Sequence, residues 1–140
     1  MEKINSAIGI VNVETKIEDK FISIMLKKDK ELIGLINFKF SREHGDKVAW
    51  IYVIEVKEKF QSKKFGDILI NLFEDYCKKE RIKRVEGKFY PTNMNARPFY
   101  LKHGYEIYKE DYETYILKVL DYIKENNSYK AEKKEDEIEA

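Results

Sequence analysis

Two short stretches of the chain carry residue types and spacings that suit chemistry. The first is Val56-Lys57-Glu58-Lys59-Phe60-Gln61-Ser62-Lys63-Lys64-Phe65-Gly66. It reads as a strand end, a short polar turn and a helix start. Such a turn aims several backbone N–H groups at one point. The free amides and the positive dipole end of the helix favour an anionic group there. The second stretch, about thirty residues further on, is Asn93-x-x-Ala96-x-x-Phe99-Tyr100-x-x-x-Gly104-Tyr105. It places a tyrosine hydroxyl on a helix that stops at a glycine, with another strand behind it. An anion cradle joined to a separate proton-bearing hydroxyl suits group transfer from a phosphorylated carrier.

The elements that must position these groups are legible from periodicity. Residues 8–13 read as a first strand, and 21–26 and 31–40 as two more, joined by a polar turn at 27–30. Residues 1–7 give little signal, and 14–20 read as a connection. A second turn at 41–46 leads to a strand over 48–56. Simple alternation puts Val48, Trp50, Tyr52, Ile54 and Val56 on one face of that strand. A helix is predicted over 67–81. Its apolar stripe is Leu69, Leu72, Phe73 and Tyr76, with Glu74, Lys78 and Lys79 away from it. A strand over 84–90 stops at Pro91. The helix carrying Tyr100 runs from Asn93 or Asn95 to His103, and Pro98 is tolerable in its first turn if Asn95 is the N-cap. Strands over 105–109 and 113–119 close the pattern. The fold class is α/β: a mixed, mostly antiparallel seven-stranded sheet with two flanking helices.

Composition bounds the partners. The chain has 140 residues, enough for one domain with a real core. A domain over 1–120 is expected, followed by a charged tail over 121–140 that is expected to fray. The net charge of +1 is too small to suggest nucleic-acid binding. One cysteine, Cys77, allows no internal disulfide. No leader-like segment or apolar run of membrane-spanning length stands out, so a cytoplasmic protein with no membrane partner is expected.

Both stretches resemble motifs of the GNAT family of N-acetyltransferases. The family's strand–turn–helix is commonly written V-x-P-x-[YF]-[RQ]-x-x-G-x-[GA]. Val56, Phe60, Gln61 and Gly66 match it in spacing. Glu58 stands where a proline is common, and Lys64 stands at the first glycine. The second stretch resembles N-x-x-A-x-x-[FL]-Y-x-x-x-G-[FY] at Asn93, Ala96, Phe99, Tyr100, Gly104 and Tyr105. The resemblance spans roughly residues 21–119.

That likeness implies a GNAT acyl-CoA N-acyltransferase fold, acetyl-CoA as co-substrate and no metal. Gln61, Ser62, Lys63 and Lys64, with Phe65, Gly66 and Asp67 at the helix start, are implied to hold the pyrophosphate. At Lys64 a side chain either crowds the phosphate or pairs with it, and left-handed backbone there carries strain. The main chain of Ile54 and Val56 is implied to align the pantetheine arm like an added strand. Asn93 is implied to contact that arm through its amide. Tyr100 is implied to protonate the departing coenzyme A thiolate. The family also places two helices between its first and second strands. Only seven residues are free here, so those helices are expected to be missing. The acceptor side is then open, or a homodimer partner covers it.

Glu55 and Tyr52 are the candidates for the base of an attacking amine. Glu55 lies at a strand end, where a carboxylate can act directly or through a water. Alternation sets it opposite Ile54 and Val56, and pointing at solvent is equally consistent. Tyr52 is a weaker candidate. His44 and His103 are isolated and lack the spacing of a metal site. Cys77 lies beside the apolar face of a helix and reads as a buried structural thiol. The expected activity is transfer of acetyl to a primary amine, on a small molecule or a protein, by direct attack. The alternatives are a catalytically degenerate GNAT-fold module that binds acyl-CoA or a protein partner, and an unrelated α/β interaction domain.

Overall fold

The computed structural model describes residues 2–120. The expected tail over 121–140 lies outside the described residues. The strands are β1 (Glu2–Ser6), β2 (Gly9–Glu18), β3 (Phe21–Lys28), β4 (Glu31–Glu43), β5 (Asp46–Val56), β6 (Arg84–Phe89), β7 (Glu106–Glu110) and β8 (Thr114–Val119). The helices are α1 (Phe65–Lys79) and α2 (Ala96–Lys102), with a 3₁₀ turn at Glu58–Phe60. The sheet therefore has eight strands, not the seven expected. Its order is β1-β2-β3-β4-β5-β6-β8-β7.

The correction lies at the N-terminus. Residues 2–6 form an edge strand paired with β2, and Glu14–Glu18, expected as a connection, extend β2 against β3. Four successive hairpins link β1 to β5, each with two residues between its last paired positions. Two of them, Asp29-Lys30 and His44-Gly45, have positive φ at both residues. That is the geometry whose twist matches the flanking strands. Between β2 and β3 there is a tight hairpin and no helix, so the two family helices are absent from that place.

β5 and β6 are parallel, and α1 is the crossover between them. α1 packs on the face made by Ile36, Phe38, Ala49 and Ile51, with the Phe73 ring 4.6 Å from the Phe38 ring. α2 covers the same face further along, where Tyr100 stacks on Phe89. Among the described residues no helix covers the opposite face. It carries Phe21, Trp50 and Tyr52, with the Tyr52 ring edge-on to each of the other two. Among the described residues no helix is long and apolar enough to cross a membrane.

Two local departures shape the site. Asn37 pairs with Val53 while Phe38 pairs with Ile51, so Tyr52 is an extra residue in β5. This bulge resets the alternation. Ile51 and Ile54 both face the helices, whereas Trp50 and Tyr52 face away, so the single face expected for Trp50, Tyr52, Ile54 and Val56 is broken. Glu74 corrects another expectation: it is buried, at 7% exposure, on the packed side of α1.

Candidate active site

The β5–β6 ladder runs only from Val48–Arg84 to Ile51–Gly87. Beyond it the two strands part, and a cleft of about 1120 Å³ opens between them. β4 holds the other side of β5. The Lys57 N–H donates to the Ile33 carbonyl at 2.8 Å. Residues 55 and 57 thus turn their main-chain groups to β4, and by alternation Ile54 and Val56 turn theirs to the cleft. The Val56 carbonyl accepts from the Gln61 side-chain amide at 3.0 Å. That bond ties the turn to the strand end.

The far end of the cleft is the start of α1. Its first helical bond runs from the Ile68 N–H to the Lys64 carbonyl at 3.1 Å. The N–H groups of Phe65, Gly66 and Asp67 therefore lack partners within the helix. Ser62 and Lys64 are left-handed, with φ of 65° and 70°. Two such residues close together curl the turn so that successive amides converge. Lys64 is the N-cap and lines the cleft. Gly66 lets α2 approach. A Cβ there would stand 3.2 Å from the Phe99 ring, tighter than an ordinary contact.

Tyr100 lies between these parts, on the cleft wall and 5% exposed. Its ring stacks on Phe89 and meets Phe99 and Tyr105 edge-on. Burial pushes its phenol up to about 12. Among the described residues its hydroxyl has no hydrogen-bond partner. It is a protonated donor at neutral pH.

Residues 9–105 match the acetyltransferase (GNAT) family. The chain belongs to the GNAT family. A curated relative is the uncharacterized protein YxbD of Bacillus subtilis (strain 168), 29% identical over 83 residues, which are 59% of this chain and 48% of that protein. The chain thus spans about half the length of this relative. The PaiA N-acetyltransferase of Thermoplasma acidophilum, solved in complex with coenzyme A, has a TM-score of 0.66 at 22% identity. That match covers 72% of this chain and 62% of the other. Arabidopsis thaliana NAA60, solved in complex with acetyl-CoA, has a TM-score of 0.64 at 14% identity, covering 74% of this chain and 78% of the other. These likenesses show the GNAT fold.

Within that GNAT fold the cleft brings together nearly all the residues singled out from the sequence. Ile54, Glu55, Val56, Gln61, Ser62, Lys64, Phe65, Gly66, Asp67, Asn93 and Tyr100 all line it. Lys63 is exposed and does not. Asn93 sits in the turn before α2, where its N–H donates to the Tyr90 carbonyl at 2.9 Å. The Asn95 N-cap makes no side-chain capping bond. Glu55 has a half-exposed side chain, 3.8 Å from the Lys57 ammonium. Trp50 and Tyr52 line the cleft from the uncovered face.

Sequence reasoning missed Lys102. Its ammonium lies 2.9 Å from the Asp67 carboxylate, and the His103 Nε2 lies 2.6 Å from the same oxygen. Burial alone raises the Asp67 carboxyl, but hydrogen bonds from Lys102 and His103 outweigh it and hold the group below its ordinary value. Two cationic or proton-donating neighbours thus offset an acid beside the anion cradle. A lysine two residues after the motif tyrosine, on a helix facing Asp67, was the available signal. Cys77 is buried, and burial pushes its thiol up, so it is inert as a nucleophile. Among the described residues no group of three or more His, Cys, Asp or Glu is placed to hold a metal.

Proposed function

We propose that this chain transfers an acetyl group from acetyl-CoA to a primary amine by direct attack. One observation carries the reading. A single cleft joins unpartnered amides at the α1 start, the edge of β5 at Ile54 and Val56 beyond its ladder with β6, and a protonated phenol. The pyrophosphate occupies the turn over 61–67, and the pantetheine lies along β5 as an added strand. The amine nitrogen attacks the thioester carbonyl carbon, the carbon–sulfur bond breaks, and Tyr100 gives its proton to the thiolate. The phenolate recovers a proton from solvent. Asn93 contacts the pantetheine arm through its amide. The surplus proton of the amine passes to water or to Glu55. Glu55→Gln separates these two routes: a loss of kcat below about fivefold identifies water, and a larger loss identifies the carboxylate. The domain over 1–120 carries this chemistry in our reading. The uncovered sheet face beside Trp50 and Tyr52 leaves the acceptor side open to a protein or small-molecule amine, or to a homodimer partner.

Calorimetric titration with acetyl-CoA, followed by thiol-release assays on an amine panel, tests the assignment. Micromolar binding with turnover supports it. Binding without turnover on any amine supports the degenerate module instead, and no binding removes both.

Lys64 decides whether the departure from the family motif helps or harms. Among the described residues its ammonium has no ion-pair partner, and it faces the anion cradle. As a phosphate ligand on an exposed turn it contributes about threefold in affinity. Lys64→Gly also relieves the left-handed strain of about 1 kcal/mol, partly offset by greater freedom of the unfolded chain. The expected result is a Tm raised by about 2 °C and an acetyl-CoA Kd raised about threefold at low salt. Tighter binding by the glycine variant means that Lys64 crowds the phosphate, and favours the degenerate module.

A further inference from the structure

α1 buries one carboxylate that the proposed chemistry never touches. Glu74 Oε2 accepts a hydrogen bond from the Tyr105 hydroxyl at 2.8 Å. Its Oε1 accepts from the Lys118 ammonium, also at 2.8 Å. The same ammonium donates to the His103 carbonyl at 2.8 Å, at the C-cap of α2. It also lies 5.4 Å from the centre of the Tyr105 ring. One carboxylate on α1 therefore fastens β8 and the residue that follows α2.

That fastening leads directly to Tyr100. The Tyr105 N–H donates to the Tyr100 carbonyl at 3.0 Å, and the two rings meet edge-on at 5.4 Å. α2 has only seven residues, so its position is set by what holds its ends and not by its own helical stability. Its N-terminal side lacks a side-chain cap. Its C-terminal side is held by Lys118 and Tyr105, which converge on Glu74, and by Lys102 and His103, which both meet Asp67.

We infer that Glu74 is the positioning residue for Tyr100: the Glu74–Tyr105–Lys118 network fixes α2 so that the phenol stands at the leaving sulfur. This rests on the reading of Tyr100 as the acid. Stability alone does not account for a buried carboxylate held to a partly exposed ammonium, because apolar residues of similar volume hold a core as well or better. A carboxylate binds two directional partners at once and fixes the angle at which α2 meets α1.

The test is a kinetic double-mutant cycle. Glu74→Gln keeps an acceptor for Tyr105 and removes the charge that holds Lys118. It is expected to lower kcat about tenfold, with KM for acetyl-CoA within twofold. In a Tyr100→Phe background the same change is expected to cost less than twofold, because the group it positions is gone. Equal losses in both backgrounds, or an unchanged kcat for Glu74→Gln, overturn the inference. If Glu74→Gln does not fold, the triple variant Glu74→Leu/Tyr105→Phe/Lys118→Met replaces the network with apolar packing. A wild-type Tm with kcat about tenfold down is expected, and full kcat sinks the idea. If Tyr100→Phe alone leaves kcat unchanged, the acid assignment is what fails.

Discussion

Tyr100→Phe lowers kcat for acetyl transfer by about 100-fold while leaving acetyl-CoA affinity and Tm essentially unchanged. The phenylalanine ring keeps the stack on Phe89 and the edge contacts with Phe99 and Tyr105. The lost hydroxyl has no partner among the described residues, so its removal orphans no buried group. Its oxygen reaches the cleft and is not among the buried unsatisfied atoms, so its loss leaves Tm essentially where it was. A large kcat loss with an intact fold assigns the proton to Tyr100. A loss of kcat that tracks a fall in Tm reduces it to a core residue.

The pH profile carries a second signature of the same group. Burial holds the phenol near 12, whereas an unperturbed tyrosine titrates near 10. Rate is expected to rise as the attacking amine loses its proton, and then to stay level through pH 10. A descending limb near pH 10 that disappears in Tyr100→Phe contradicts the buried phenol. The stability linkage has the same sign. Between pH 10 and about 12 the unfolded chain gives up a proton that the folded chain keeps. The contribution is present below pH 10 and is lost as pH rises toward 12. Asp67 behaves oppositely. Its lowered carboxyl contributes stability above the ordinary carboxylate range, and that is lost as pH falls through the folded value.

What was legible in the sequence was what local rules govern. Ile22, Ile24 and Leu26 alternate because one face of β3 is buried, and the hairpins announce themselves through polar pairs such as Asp29-Lys30. The two motifs are contiguous, so they placed the cradle and the phenol. The misses are long-range. β1 carries only Ile4 against the core, and Glu14–Glu18 of β2 are largely polar. Main-chain pairing with a neighbour makes them strands, and no hydrophobic period records it. The bulge at Tyr52 is a register event between β4 and β5, invisible in either strand alone. Glu74 reads as a solvent-facing helix residue because its partners arrive from 31 and 44 positions away. Lys63 stands beside Lys64 among the turn residues implied to hold the pyrophosphate, but it is exposed and does not line the cleft.

Gly34→Ala is the variant expected to damage the fold and the cofactor site together. Gly34 pairs with Val56 across the β4–β5 ladder. A Cβ at Gly34 would meet the Glu55 carbonyl oxygen at 2.6 Å, with the Val56 Cα and Leu69 Cδ1 each at 3.2 Å. The clash is with backbone, so no rotamer relieves it and the strands must part. Overpacking of this kind costs about 1–3 kcal/mol, a fall in Tm of about 4 °C for each kcal/mol in a domain of this size. The strain falls on residues 55 and 56, where the edge of β5 beyond its ladder with β6 meets the cleft. Acetyl-CoA affinity is therefore expected to drop about tenfold, equivalent to about 1.4 kcal/mol. Gly45→Ala is the matched control. It lies in a hairpin with nothing within 4 Å of its Cβ, and its φ of +86° costs strain alone. It should lower Tm and leave affinity intact. Calorimetry on both variants separates general destabilisation from displacement of the β5 edge. If Gly34→Ala loses stability but binds acetyl-CoA as tightly as the wild type, the pantetheine does not lie along Ile54 and Val56.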